Sequence, residues 1–308
     1  MTNYTIEPER ATLRGSFSRE YPPIVTIKSG DTVRFSTLDA GWHLGPATEP
    51  LQSRFEPRDN THDSGHALCG PVAIQEAQPG MTLEIQINEI RPGNWGWTSA
   101  GGRESAINKY LGLVERRELL HWALNTDAMV GTDQYGHTIA LHPFMGVMGM
   151  PPDEPGIHST IPPRFCGGNI DCKELVAGST LFLPISVPGA LFSVGDGHAA
   201  QGDGEVSGVA IECPMECVDL TFHVLEDMAL KMPRVRTADA WVTLGFHENL
   251  HEASLIALDA MLDLMREQYD LPRSQAFALA SLVVDLRITQ IANGVHGVHA
   301  ILPDGFMK

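Results

Sequence analysis

Short runs of β-branched and aromatic residues, each closed off by glycine or proline, constrain this chain more than any other feature. Between Pro22 and Phe35, Ile24-Val25-Thr26-Ile27 and Thr32-Val33-Arg34-Phe35 flank Ser29-Gly30-Asp31, which reads as two strands about a turn and predicts a hairpin. The pattern returns from Pro71 to Ile90, where Gln78-Pro79-Gly80 separates two more strands. The second of these alternates Leu83, Ile85 and Ile87 against Glu84 and Gln86, so one face is apolar and the other wet. With 30 glycines and 21 prolines in 308 residues, such punctuation favours many short strands over long helices. The expected fold class is mainly β. It comprises an N-terminal β-sandwich or jelly roll over residues 1–140, a second, β-barrel-like unit with the site loops over 141–225, and a C-terminal α+β segment over 226–308 carrying two helices.

The helical grammar is confined to that last segment. Asn249 followed by Glu252 has the layout of a capping box, the Asn side chain taking a free amide and the Glu reaching back. Behind it Leu255, Leu258, Met261, Leu262 and Met265 recur at helical spacing as far as Tyr269. Pro272 suits the first turn of a second helix, with Phe277, Leu279, Leu282 and Val283 as its apolar stripe. Leu286 to Leu302 returns to strand and turn.

The formal net charge of −17 repels phosphate backbones and anionic lipid surfaces, so neither nucleic acid nor a membrane is an expected partner. No apolar run approaches the roughly 18 residues of a membrane span, and Met1 to Arg14 resembles no signal peptide, which points to the cytoplasm. Five irregularly spaced cysteines (Cys69, Cys166, Cys172, Cys213 and Cys217) do not make a secreted disulfide framework, and the gaps within the last four do not match zinc knuckles.

One segment carries the chemistry. Val194-Gly195-Asp196-Gly197-His198-Ala199-Ala200-Gln201-Gly202-Asp203-Gly204-Glu205 interleaves acids, a histidine and an amide with glycine and alanine, small residues that let the backbone turn tightly and bring polar side chains to one point. A histidine with carboxylates is the ligand set of a catalytic zinc or similar divalent ion, with a carboxylate left over as base. Composition alone leaves two other readings, a solvated turn and a calcium-stiffened loop using Asp196 and Asp203.

The string from Gly195 to Glu205 resembles the GDxHAAQGDGE element of the acetamidase/formamidase family, and Gly167-Gly168-Asn169-Ile170-Asp171 resembles its GGNxD element. Co-linear matches extend the resemblance over nearly the whole chain: Gly30-Asp31-Thr32-Val33 with Asp39, His142 to Gly149, Gly178 to Pro184, Val187 to Leu191, Ala238 to Trp241 and Asp285 to Gln290. The chain departs from the family at Met81, where aspartate is common, and at Ala40 to Gly45. The resemblance implies a β-rich homo-oligomer that hydrolyses the C–N bond of a small amide to carboxylate and ammonia with the help of bound metal, zinc in the first instance and calcium as the alternative. An amide is a poor electrophile with a poor leaving group, so the site needs a Lewis acid, an activated water and a proton donor. That chemistry selects Asp171, Asp196, His198 and Asp39 as candidate metal ligands, Glu205 as the proton shuttle and Gln201 to orient the amide, with the division of the carboxylates between ligand and base left open. His43 is a further candidate, and Asp203 is either a member of the site or a turn residue.

Other chemistries fit less well. His247-Glu248-Asn249-Leu250-His251 satisfies the H-E-x-x-H pattern of zinc peptidases, but that pattern needs a continuous helix, and an N-cap at Asn249 leaves His247 outside it. No G-x-S-x-G is present, and Cys166 as a thiol nucleophile competes with its reading as a buried, inert thiol. The rival from another class is a non-enzymatic β-sandwich module that binds a metal or small polar ligand.

Overall fold

The structure, a computed structural model, describes residues 2–46 and 53–306. It is mainly β, with three sheets and three helices among those residues. Nine strands form the largest sheet, in the order Asn3–Ile6, Thr32–Thr37, Met215–Leu225, Thr82–Pro92, Thr180–Pro184, Arg234–Arg236, Ala240–His247, His296–Pro303 and Asp285–Gln290. This sheet draws strands from all three stretches of the chain set out above. A seven-stranded sheet is built around Phe144–Gly149, Phe192–His198 and Leu68–Ile74, and a four-stranded sheet runs from Thr138–Ala140 to Trp95–Gly101.

The large sheet and the seven-stranded sheet pack on one another. Phe222 from the first meets Phe192 from the second edge to face at 5.1 Å, inside a core that joins Phe35, Ile85 and Leu220 to Val72, Met145 and Val194. Aromatic pairs of this geometry add to what burial alone contributes. Leu83, Ile85 and Ile87 are buried, while Glu84 and Gln86 remain partly accessible, as the alternation predicts.

Neither predicted hairpin forms. Val25–Ile27 runs parallel to Leu68–Ile74 in the seven-stranded sheet, whereas Thr32–Thr37 pairs with Asn3–Ile6 and Met215–Leu225 in the nine-stranded one. Leu68–Ile74 and Thr82–Pro92 are likewise divided between the two sheets. The turn residues do turn the chain, with Asp31 accepting from the amides of Lys28 and Thr2, but they carry it from one layer to the other. All seven residues of Leu68–Ile74 are buried, and a strand covered on both faces takes its partners from the layer rather than from its sequence neighbour.

The C-terminal helices Leu250–Tyr269 and Arg273–Val283 lie where the sequence predicts them, and a short helix, Ala106–Leu111, is added. Their packed faces keep part of the predicted stripes, with Met261, Leu262 and Met265 buried and Leu258, Leu279 and Val283 packed against the same cluster, and add alanines to them. The long helix buries Ala253, Ala257, Met261, Leu262, Leu264 and Met265, leaving Leu255 at 46% exposure, and the second buries Ala276 and Ala280 while Phe277 and Leu282 are 58% and 80% exposed. Close approach selects the alanine face. A Cβ on Gly245 of the strand beneath would come within 2.2 Å of the Ala253 carbonyl, and Thr243 donates to the Ala257 carbonyl. Asn249 caps the helix through the amides of His251 and Glu252, but its own amide donates to His247 Nδ1 instead of to Glu252.

His247 is the last residue of its strand, so the H-E-x-x-H pattern straddles a strand end and a helix start, and the one-face geometry of a zinc peptidase is absent. All five cysteines are free and buried, and burial pushes the Cys166 thiol up to about 11, which disfavours the thiolate a nucleophile needs.

Candidate active site

Asp196 and His198 sit two residues apart on the strand Phe192–His198, and their side chains come within 3.4 Å of one another. Phe144–Gly149 pairs alongside, with Phe144 opposite His198 and Met145 opposite Gly197. Asp171 arrives from the turn after Gly167–Asn169, fixed there because the amides of Ile170 and Asp171 both donate to the Gly146 carbonyl. Gly146 is the floor on which these three meet. A Cβ there would lie 2.6 Å from Asp196 Oδ2, 2.7 Å from Asp171 Oδ1 and 2.9 Å from the His198 ring.

Asp171, Asp196 and His198 offer ligand atoms all within 4.8 Å of one another, and so do His198, Glu205 and Glu212. All five residues are buried. His198 Nε2 lies 3.4 Å from Asp196 Oδ1 and 3.4 Å from Glu212 Oε2, beyond ordinary hydrogen-bond contact. The opposite edge of the ring is held firmly. Gln201 donates from Nε2 to the Asp171 carbonyl at 2.8 Å, which turns its Oε1 towards His198 Nδ1 at 3.0 Å, so Nδ1 carries the proton donated to Gln201 and Nε2 faces the carboxylates. Gln201 thus fixes which nitrogen of His198 faces the carboxylates.

The backbone at these residues is strained. Asp171, Asp196 and Glu205 have φ of 50°, 61° and 43°, in the left-handed region that residues with a Cβ seldom occupy. Such conformations cost on the order of 1 kcal/mol or more each and persist where the surroundings impose them, commonly at functional sites.

Electrostatics add to the cost. Burial pushes the Glu205 and Glu212 carboxyls up to about 7. Burial, reinforced by Glu205, holds Asp171 well above the usual carboxylate range. For Asp196 burial acts in the same sense, but His66 and His198 outweigh it and keep the carboxyl below its ordinary value. Burial opposes the charged form of His198 too, yet Glu212 and Asp196 outweigh it and hold the imidazole well above its usual pKa. Asp171 Oδ1, Glu205 Oε2, Glu212 Oε2 and Asn169 Oδ1 are buried without a hydrogen-bond partner. A set of buried acceptors lacking donors is what a cation satisfies.

A cavity of about 230 Å³ opens onto Asp196, Glu205 and Glu212, with His66, Trp97, Asn169 and Asn293 also in its wall. Asn293 donates to Asp171 Oδ2 at 2.7 Å.

Asp39 stands outside both ligand groups. Its Oδ1 accepts the His43 amide at 2.7 Å, and its Oδ2 accepts from His43 Nδ1 at 2.6 Å and Trp97 Nε1 at 2.7 Å. Three N–H donors meet its two oxygens, an arrangement that positions the cavity-lining Trp97 and the neighbouring His43. Asp203 also lies apart, paired with Lys173 at 3.0 Å. Glu212 has no place in the sequence reading. It enters through its backbone, which bridges both Trp97 and His198 and so ties the four-stranded sheet to the seven-stranded one. The one signal for it in the sequence is a lone acid within the apolar stretch Ala210-Ile211-Glu212-Cys213.

The family model of the Acetamidase/Formamidase family matches residues 5–159 and 154–303. A putative formamidase of Schizosaccharomyces pombe is 27% identical over 282 residues, covering 73% of this chain and 68% of that protein. The acetamidase of Mycolicibacterium smegmatis is 25% identical over 245 residues, 61% of this chain and 60% of the relative, so the chain spans well under the full length of that enzyme. Among solved structures, a predicted acetamidase/formamidase from Thermoanaerobacter tengcongensis superposes with a TM-score of 0.85 at 25% identity, covering 98% of this chain and 96% of the other. An acetamidase from Bacillus halodurans gives 0.83 at 26% identity, with 98% and 97% covered. The chain belongs to the acetamidase/formamidase family of amidohydrolases.

Proposed function

We propose that this protein hydrolyses the C–N bond of a small amide, of the formamide and acetamide kind, to carboxylate and ammonia at a divalent metal held by Asp171, Asp196 and His198. The observation that carries the reading is the buried ligand cluster with its orphaned oxygens. The donor set of one imidazole nitrogen and several carboxylates suits zinc, with calcium the alternative for an oxygen-rich site. Gly146 leaves the room the ligands converge on. When bound, the ion supplies Lewis acidity towards the amide carbonyl and a lowered pKa for the attacking water.

The chain's own residues supply the rest. Glu205, on the wall of the cavity and with its carboxyl pushed up to about 7, takes the proton of the attacking water and returns it to the departing nitrogen, a task for which a pKa near the working pH is best. Glu212 adds a further carboxylate on the Nε2 side of His198, and Gln201 keeps that nitrogen aimed inward. Asp39 holds Trp97 and His43 in place.

No helix among the described residues is long and apolar enough to cross a membrane. A cytoplasmic homo-oligomer acting on a small amide, without nucleic acid or membrane as partner, accords with the net charge and with the exposed Phe277 and Leu282. Sedimentation at the monomer mass would contradict the oligomer. Ammonia release measured over formamide, acetamide, propionamide and urea tests the reaction: release from the amides is expected, and silence on all of them rejects it.

A further inference from the structure

A second cavity of about 230 Å³ adjoins the first, and the two have Glu205 and Val209 in common. Each alone has room for roughly seven water molecules, more than formamide or acetamide needs. Their chemistry differs. On the ligand side of Glu205 the walls hold buried oxygens of Asn169, Glu205 and Glu212 that have no partner.

On the far side the polar side chains are already engaged. Trp122 Nε1 donates to Thr98 Oγ1, which donates in turn to the Ala210 carbonyl. Gln201 is committed to His198 and Asp171, Asp203 to Lys173, and Ser207 to the Val209 carbonyl. Apart from Glu205, which belongs to both, what remains to meet a ligand there is the apolar surface of Trp122, Ile139, Val206, Val209 and Ile211. Ile139 and Val206 are 37% and 66% exposed, an apolar wall left open among the described residues. A site built this way binds by apolar contact, with the reacting amide held at its polar end.

We propose that this second cavity is an acyl subsite and that the substrate class is primary carboxamides with an apolar acyl chain, longer than acetamide, which passes Val209 to lie against Trp122 and Ile139. The inference rests on the amidase reading. Each methylene buried there is expected to raise kcat/KM about fourfold, expressed mainly in KM, until the cavity is filled.

The test is ammonia release from formamide, acetamide, propionamide, butyramide and valeramide, with succinamate as the acidic counterpart. The wild-type enzyme is expected to climb through the series. Val209→Trp, which narrows the passage, is expected to lower kcat/KM for valeramide at least tenfold more than for formamide. Ile139→Asp, on an exposed strand, should shift the same ratio in the same direction, and a ratio is insensitive to any fraction of unfolded enzyme. A series that falls beyond acetamide, variants that reduce all amides equally, or a preference for succinamate drawn by Arg103 and Arg117, which line a cavity with Ser207 and Val209, would each overturn the subsite while leaving the amidase reading intact. Absence of hydrolysis across the whole series, short amides included, defeats both.

Discussion

Glu205→Gln keeps size and hydrogen bonding and removes only the capacity to take and return a proton. A positioned general base contributes about 10²- to 10⁴-fold, so turnover should fall within that range while metal content survives, as steady-state rates and elemental analysis on the same sample would show. Joint loss of metal and activity would make Glu205 a ligand instead, and near-wild-type turnover would leave it without either role. Glu212 gives a prediction about pH. Its folded carboxyl sits at about 7, above the ordinary carboxylate value, so its protonated form stabilises the native state fully at low pH and this contribution is lost as pH rises through 7. In chelator, the Tm advantage of Glu212→Gln over wild type should therefore widen from pH 4.5 to pH 8, and a constant gap in calorimetry would refute the assignment. Asp171, Asp196, His198 and Glu205 were legible in the sequence because glycine-rich spacing marks a convergent loop and because the string matches a family element. Glu212 was not, since one acid between Ile211 and Cys213 has no pattern around it, and the three N–H donors that meet Asp39 likewise leave no sign in the sequence.

At the scale of elements, local signals were read where the partner is local. The long C-terminal helix starts where Asn249 predicts, and its cap is satisfied by two amides, so Asn249→Ala should cost about 1 kcal/mol of unfolding free energy in urea titration. An unchanged midpoint would mean that the helix start is held by packing alone. The face of that helix was legible at Met261, Leu262 and Met265 but not in its first turns, because bulk hydrophobicity points to Leu255 whereas the strand below admits alanine at closest approach. The two missed hairpins have the same cause: alternation and turn chemistry specify a strand and a reversal, but not which layer receives the chain.

Over the whole molecule, the sheets bring residues from several elements to a single buried point. Asp171, Asp196 with His198, Glu205 and Glu212 reach it from a turn, a strand end, a loop and an inter-sheet bridge, each at a cost in strain or desolvation that the surrounding core offsets. Four carboxyl groups about one histidine, three of them held above the ordinary carboxylate range by burial, are an arrangement that a cation would stabilise, and metal is therefore the centre of the proposed reaction. The direct measurement strips the purified protein with chelator, confirms its metal-free state by elemental analysis, and follows ammonia release from formamide and acetamide before and after titrating zinc or calcium back. The account predicts loss of activity on stripping and recovery at a stoichiometric end point, with neither loss nor recovery dependent on Cys166. Undiminished hydrolysis by protein shown to be metal-free would contradict it.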